Sequence, residues 1–407
     1  MESLRFLFTS SFYPPYHVGG DAVHVRYLAE ELANRGHEVH VLHSLDAYRL
    51  KRREILQEDQ ASSAVKLHAV STPFSLSAYS AFAFGGSHTI TRRLRTLIEQ
   101  IRPDVVHHHN VSLLGYGVLK KRGDYLNLYT AHDYWLICPQ SNLLQRGLRV
   151  CETGNCIFCG LPNKKPPQLW RYSSGFKRAV DDIDVLIAPS EYLRQRMDHA
   201  FRVRTVTIRN FVPAPPDDLV ASGHRIIGSD FMIYVGVLEI HKGILWLIEE
   251  YQEIEASNLV IVGQGSLLKE VDRLIRARQL SERVHRLGWI DRTLLMALIR
   301  DAQALVVPSI WPENAPLNAL EALSLGTPVI GSDRGGLSEI VCKLDKDLVF
   351  SWETDGDLKR AILHCLENRE NLREKARATY QEDFSPDSYL DSYMKIIDGR
   401  DRSREQN

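Results

Sequence analysis

Two carboxylates, Glu313 and Glu321, stand eight positions apart in the stretch PSIWPENAPLNALEALSLGTPVIGSDRGG at 308–337. Ionised carboxylates accept hydrogen bonds and repel anions, so their natural partners in a ligand are hydroxyl groups. Between them, Pro316 suits the first turn of a helix, where a missing N–H costs nothing. The amides of Leu317 and Asn318, at the positive end of the helix dipole, then make a seat for phosphate. A ligand that offers hydroxyls and a diphosphate together is a sugar nucleotide.

The elements that must position these groups are legible. QALVVPS (303–309) reads as a strand buried on both faces of a parallel sheet, and WPENAP as a loop, because Pro312 and Pro316 interrupt regular structure. Leu317, Ala319, Leu320, Ala322 and Leu323 recur at helical spacing until Gly326 provides the stop and PVIGS starts a new strand. Glu321 therefore lies one helical turn, roughly 5.4 Å, beyond the helix start.

The segment resembles the nucleotide-sugar-binding core of the retaining glycosyltransferases of family 4, also called glycosyl transferases group 1. Their signature of Glu, seven residues and Glu, then Gly-Thr-Pro-Val and a Gly-Gly turn, stands here as Glu313, Glu321, Ala322, Gly326, Thr327, Pro328, Val329, Gly335, Gly336 and Glu339. The similarity extends over nearly the whole chain. It implies an α/β protein of GT-B type, with two doubly wound, Rossmann-like parallel-sheet domains facing a central cleft. It also implies that Glu313 holds the hexose hydroxyls and Glu321 the ribose hydroxyls of a nucleotide-diphosphate sugar.

The chain's own pattern fits that plan. LRFLFTS (4–10), HEVHVLHS (37–44), DVVHHH (104–109), LNLYTAHD (126–133) and DVLIAPS (184–190) read as one strand series, with helices such as 90–101 between them. A Pro- and Asp-rich linker at 211–225 precedes a second series, FMIYVGV (231–237), NLVIVGQG (258–265), VHRLGWI (284–290) and QALVVPS. The expected domains are 1–210, acceptor-side, with a Cys-rich insertion at about 138–165; 211–385, nucleotide-sugar-binding; and 386–407, a terminal helix packing back on the first domain.

Four further stretches bear on chemistry. Gly19 and Gly20 follow the first strand and open a helix, and by resemblance their loop lies against donor phosphate and acceptor. His132 and Asp133 end the strand LNLYTA, and by resemblance His132 faces the donor sugar near its reacting carbon. Gly263 and Gly265 form a turn that in the family lies by the nucleoside; without a third glycine at position 268 the turn is no dinucleotide fingerprint. GVLEIHKG (236–243) keeps the family's Lys242 and Gly243, but Val237 stands where the family carries an arginine that clamps the leaving diphosphate. Arg209 and Arg334 are the candidate replacements.

Composition narrows the rest. With 407 residues, 44% hydrophobic and 25% charged, and a formal net charge of −1, the chain reads as a globular protein of two to three domains with no field favouring nucleic acid. No apolar run approaches the roughly 20 residues that span a bilayer, and MESLRFLFTSSFYPPY lacks the pattern of a signal peptide. A cytoplasmic location is expected, with peripheral contact at the inner face of the membrane.

Cys138, Cys151, Cys156 and Cys159 match the ligand count of a structural zinc site, with plain thiols and disulfides as the alternatives. The basic and aromatic run LPNKKPPQLWRYSSGFKR (161–178) suits an acceptor bearing lipid phosphate, a membrane surface or simply water. The expected activity is transfer of a sugar from a nucleotide-diphosphate sugar to a carbohydrate or lipid-linked acceptor with retention of configuration, as in cell-surface polysaccharide synthesis. Glu313, His132 and Lys242 are the catalytic residues of that reading. No catalytic metal is expected, since Lys242, loop amides and the 317 helix offset the phosphate charge. The alternatives are a sugar-nucleotide epimerase of the same fold and a non-catalytic zinc-bearing interaction protein.

Overall fold

The computed structural model describes residues 3–51, 64–145, 148–152, 156, 159, 167–216, 219, 227–228 and 230–404. Two compact units make up the chain. One consists of Met1–Leu143, Cys151–Ile208 and Leu390–Asn407, the other of Leu144–Val150 and Arg209–Tyr389.

The first unit is built on seven strands: β1 (Arg5–Ser10), β2 (Glu38–Ser44), β3 (Val65–Val70), β4 (Val105–His108), β5 (Leu126–Thr130), β6 (Val185–Ala188) and β7 (Thr205–Thr207). All pair in parallel, in the order β3-β2-β1-β4-β5-β6-β7. The apolar residues of β1, Phe6, Leu7 and Phe8, are fully buried, as a central strand covered on both faces requires. The helix Gly20–Asn34 turns Val25, Leu28, Ala29 and Leu32 inward, and the helix His88–Ile101 does the same with Ile90, Leu94, Leu97 and Ile98.

The second unit carries β8 (Phe231–Val235), β9 (Asn258–Val262), β10 (Val284–Gly288), β11 (Leu305–Val307), β12 (Val329–Ser332) and β13 (Val349–Phe350). Its parallel order is β10-β9-β8-β11-β12-β13. In both sheets the chain winds outward on one side, then crosses over and winds outward on the other. The reversal falls between β1 and β4 in the first unit and between β8 and β11 in the second, and it opens a crevice at the carboxyl ends of those strands.

The two parallel sheets agree with the expected α/β architecture. Three strands escape a reading by apolar runs. β3 is a sheet edge whose Lys66, Leu67 and Ala69 are exposed, and β7 and β13 are three and two residues long. The terminal helix runs Pro386–Arg404, longer than its apolar pattern suggests, and its Tyr393 Oη lies 2.9 Å from His107 Nδ1. Among the described residues, no helix is long and apolar enough to cross a membrane.

Candidate functional site

The reversal point of the second unit gathers Glu313, Lys242 and the start of the 317 helix. After β8 the chain makes a 3₁₀ turn, Ile240–Lys242, ending at Gly243 with φ +74°. A Cβ on Gly243 would stand 1.8 Å from the carbonyl oxygen of Pro308, so only glycine lets this turn lie against the exit of β11. The amides of Ile310 and Trp311 both donate to His241 O, at 2.9 and 3.3 Å, knitting the two loops together.

That junction brings Lys242 Nζ within 2.6 Å of Glu313 Oε1, and Ser309 Oγ donates to the same oxygen at 2.7 Å. The ammonium also lies over the Trp311 ring, 5.1 Å from its centroid. Glu313 is only 5% exposed, and its backbone is held by a bond from Gly336 N to Glu313 O of 2.6 Å. Oε2 takes no hydrogen bond among the described residues, so one edge of a fixed carboxylate remains for a ligand hydroxyl. Burial, and next the charge of Glu313, pushes the nearby Tyr234 phenol well above its usual range.

The helix Leu317–Ser324 begins as expected at Pro316. Asn318 Nδ2 donates to Val235 O at 2.7 Å and its Oδ1 accepts from Ala319 N at 2.8 Å, tying the helix start to the end of β8. The amides of Leu317 and Asn318 stay at the open first turn. Glu321, 8% exposed, accepts from Arg292 Nη2 at 3.0 Å. Burial raises its pKa and Arg292 works against that rise. Arg292, from the helix after β10, is a partner that sequence spacing did not reveal.

Of the remaining residues, Gly263 and Gly265 answer to the fold itself. A Cβ at either would meet Gly236 O at 1.9 Å or Leu238 O at 2.4 Å, so the exits of β8 and β9 already demand glycine there. Val237 is half exposed. Of the two candidate cations, Arg334 donates to Glu353 at 2.6 Å and lies over Trp352. Arg209 is in no ion pair among the described residues and has a buried Nε without a partner. The next residue, Asn210, reaches Ala315 O at 3.4 Å, in the loop that carries Glu313.

In the first unit, Gly19 and Gly20 are exposed at the mouth of a helix with no side-chain cap, which leaves its first amides open. Beside them Asn110 Nδ2 donates to Asp21 Oδ2 at 2.5 Å, and burial raises the Asp21 pKa. His132 and Asp133 follow β5. Asp133 accepts from Trp135 N at 2.7 Å and titrates at about 7, raised by burial first and by the charge of Asp21 as well.

His132 Nε2 lies 3.0 Å from His109 Nδ1, and burial holds both rings neutral. His109 Nε2 is buried without a partner among the described residues. A bare acceptor there costs less than a bare N–H, which places the His109 proton on Nδ1 and that of His132 on its own Nδ1. Asp21, His109 and Asn110 escaped the sequence reading; the polar run HHHN closing an otherwise apolar strand was the available signal.

Among the described residues, no three of Cys138, Cys151, Cys156 and Cys159 bring their sulfurs within 4.8 Å of one another. No disulfide joins them among the described residues. Among the described residues, the one group of three or more His, Cys, Asp or Glu whose ligand atoms lie within 4.8 Å of one another is Asp345, Asp347 and His364. There Asp345 caps a turn through Asp347 N and meets His364 Nε2 at 3.1 Å. Burial first, and then the charges of Cys138, Cys151 and Cys159, raise the Cys156 pKa, and the zinc expectation is unsupported.

The basic and aromatic run is described only in part. Residues 161–166 lie outside the described residues. Arg171 lies over the adjoining rings of Trp135 and Trp170 and donates to Trp135 O at 2.5 Å, while Leu169 and Tyr172 are exposed. An open cavity of about 990 Å³ borders Arg171, Lys177 and Arg202, and none of the donor-site residues named above lines it.

Comparison with known proteins places the chain. The family described as Glycosyltransferase Family 4 matches residues 18–214, and Glycosyl transferases group 1 matches residues 224–382. Glycogen synthase of Mycobacterium tuberculosis is 26% identical over 407 aligned residues, covering 93% of this chain and 90% of that protein. Sucrose-phosphate synthase of Thermosynechococcus elongatus superposes with a TM-score of 0.73 at 17% identity, covering 98% of this chain and all of that one. The catalytic domain of starch synthase IV of Arabidopsis thaliana, bound to ADP and acarbose, gives 0.68 at 15% identity, covering 97% and 99%. Successive family matches along both halves, on two sheets of this topology, show that the chain belongs to the family 4, group 1 glycosyltransferases and is a transferase of GT-B fold.

Proposed function

We propose that the protein transfers a sugar from a nucleoside diphosphate sugar to a hydroxyl of a carbohydrate or lipid-linked acceptor, with retention of configuration. The observation that carries this reading is the Lys242–Glu313 pair, fixed at the reversal point of the second sheet beside the open first turn of the 317 helix. The ADP bound to the structurally similar starch synthase supports the donor class.

In this reading Glu313 Oε2 accepts from sugar hydroxyls and Glu321 from ribose hydroxyls. The amides of Leu317 and Asn318 receive the diphosphate. Lys242, already held at the site by Glu313, offsets the charge that grows on the leaving phosphate as its bond to the anomeric carbon breaks. Arg209 is the second cation, in place of the arginine that Val237 replaces. The acceptor oxygen bonds to the anomeric carbon on the face the phosphate leaves, and its proton passes to the departing phosphate oxygen. In the first unit, His132 helps orient sugar hydroxyls, with its ring held by His109 at 3.0 Å.

The test is incubation of purified protein with nucleoside diphosphate sugars and an acceptor panel, with products read by NMR. Acceptor-dependent product carrying the donor's anomeric configuration supports the proposal. An inverted product overturns retention, and conversion of donor without acceptor points to an epimerase.

A further inference from the structure

None of Gly19, Gly20, His132 and Asp133 lines the open cavity of about 990 Å³ in the first unit. It lies among the turn Leu169–Tyr172, the helix Ser174–Asp181 that leads into β6, and the end of the helix Glu191–Ala200 that leaves β6. Small-molecule sites run to roughly 300–1,000 Å³, so this one has room for a few linked sugars rather than for a lone ion.

Its inner wall is aromatic. Phe176 is buried, with the Phe201 ring edge-on at 6.4 Å and the Trp170 ring at 5.3 Å. Tyr172, at the outer edge, is 58% exposed. Aromatic rings of this kind offer flat apolar surface to the C–H faces of sugars. Ser173 fixes the arrangement locally. Its Oγ accepts from Phe176 N at 3.1 Å and caps the helix, which holds Arg171 and Tyr172 just outside the first turn.

The charged groups favour an anion. Arg171 donates from Nε to Gln168 Oε1 at 2.6 Å and from Nη1 to Trp135 O at 2.5 Å, so its charge is fixed at the wall. Lys177 and Arg202 are exposed and in no ion pair among the described residues. Of the two carboxylates that line the cavity, Asp198 is held by Arg194, which leaves Asp181. Three cations against one uncommitted carboxylate suit a ligand bearing carboxylate, sulfate or phosphate groups, which guanidinium binds through paired hydrogen bonds.

We propose that this cavity binds an anionic oligosaccharide, with sugar faces on Tyr172 and Phe201 and acid groups on Lys177 and Arg202. A glycosyltransferase that grips acidic glycan at a second place keeps a growing or newly released chain close to the enzyme. The choice of a saccharide rests on the chain's membership of the glycosyltransferases and not on the donor-site reading.

The experiment is calorimetric titration of the full-length protein with tetragalacturonate, which carries a carboxylate on each sugar, with neutral maltotetraose, and with inorganic phosphate. The wild type binds tetragalacturonate, more weakly as salt rises, and binds the other two roughly tenfold less tightly or worse. Lys177→Glu with Arg202→Glu lowers the affinity for tetragalacturonate roughly tenfold or more, with nucleoside diphosphate binding and the melting temperature unchanged. Tyr172→Ala, which leaves every charge in place, also weakens binding and covers the case in which the charge-reversed protein fails to fold. Wild-type protein that does not bind tetragalacturonate, or folded variants that bind it like the wild type, overturn the proposal. So does phosphate or maltotetraose that binds as tightly as tetragalacturonate, since the cavity would then be a simple anion site or a neutral one. Wild-type protein that binds tetragalacturonate but no nucleoside diphosphate counts against the donor site and supports this one.

Discussion

Lys242 Nζ sits 2.6 Å from Glu313 Oε1, joining the loop after β8 to the loop after β11 at the point where the second sheet reverses direction. The pair places a cation and an acceptor side by side, which suits a ligand carrying both phosphate and hydroxyls. Glu313→Gln and Lys242→Met should each lower the transfer rate by roughly a hundredfold or more. If the two act as a unit, the double variant loses far less than the product of the single losses, and a double-mutant cycle on kcat measures this.

Glu321→Ala should act on binding, raising the KM for donor roughly tenfold or more through loss of a charged hydrogen-bond acceptor. Its pKa is raised by burial. Donor affinity should therefore fall on acidification at a pH above that of an ordinary glutamate, and Glu321→Ala should flatten that limb of the KM profile.

Arg209→Gln is expected to reduce kcat more than Arg334→Gln, because Arg334 is already bound to Glu353 and Trp352. Equal effects in steady-state kinetics would remove Arg209 from its proposed place.

Gly243→Ala should destabilise the fold by about 3 kcal/mol or more, since the new Cβ would stand 1.8 Å from Pro308 O. Gly356→Ala is the control. Its φ is also +74° but nothing lies within 4 Å of the added carbon, so about 1 kcal/mol is expected. Urea midpoints of the two variants compare them directly.

Asp133 titrates at about 7 in the folded protein. The folded state therefore binds more protons than the unfolded chain between about pH 4 and pH 7, and stability falls as pH rises through that window. Asp133→Asn keeps the bond from Trp135 N and removes the charge. It should stabilise by on the order of 2 kcal/mol at pH 8, allowing for partial solvent access, and by little at pH 4. Thermal unfolding across pH gives the result.

The fold was readable wherever burial imposed continuous apolar runs, as in the β1 segment LRFLFTS and the β8 segment FMIYVGV. It failed at β3, whose edge position exposes Lys66 and Leu67, and at β7 and β13, which are too short to carry a pattern. Glu313, Glu321 and Lys242 stand out as candidates in the sequence because Pro and Gly punctuate the loops around them. Arg292, His109 and Asp21 were missed because their partners lie on other elements, brought close only by the winding of the sheets. The half-buried setting of Arg171 over two adjoining tryptophans was invisible for the same reason: a basic and aromatic run reads alike whether it faces water or a core.

The most direct test of the donor site is equilibrium binding of a nucleoside diphosphate and of the matching nucleoside diphosphate sugar to the wild type, Glu313→Gln and Glu321→Ala. The account predicts that Glu321→Ala weakens both ligands, whereas Glu313→Gln weakens the sugar nucleotide and leaves the free diphosphate nearly unchanged. Wild-type affinity for both ligands in both folded variants would contradict it.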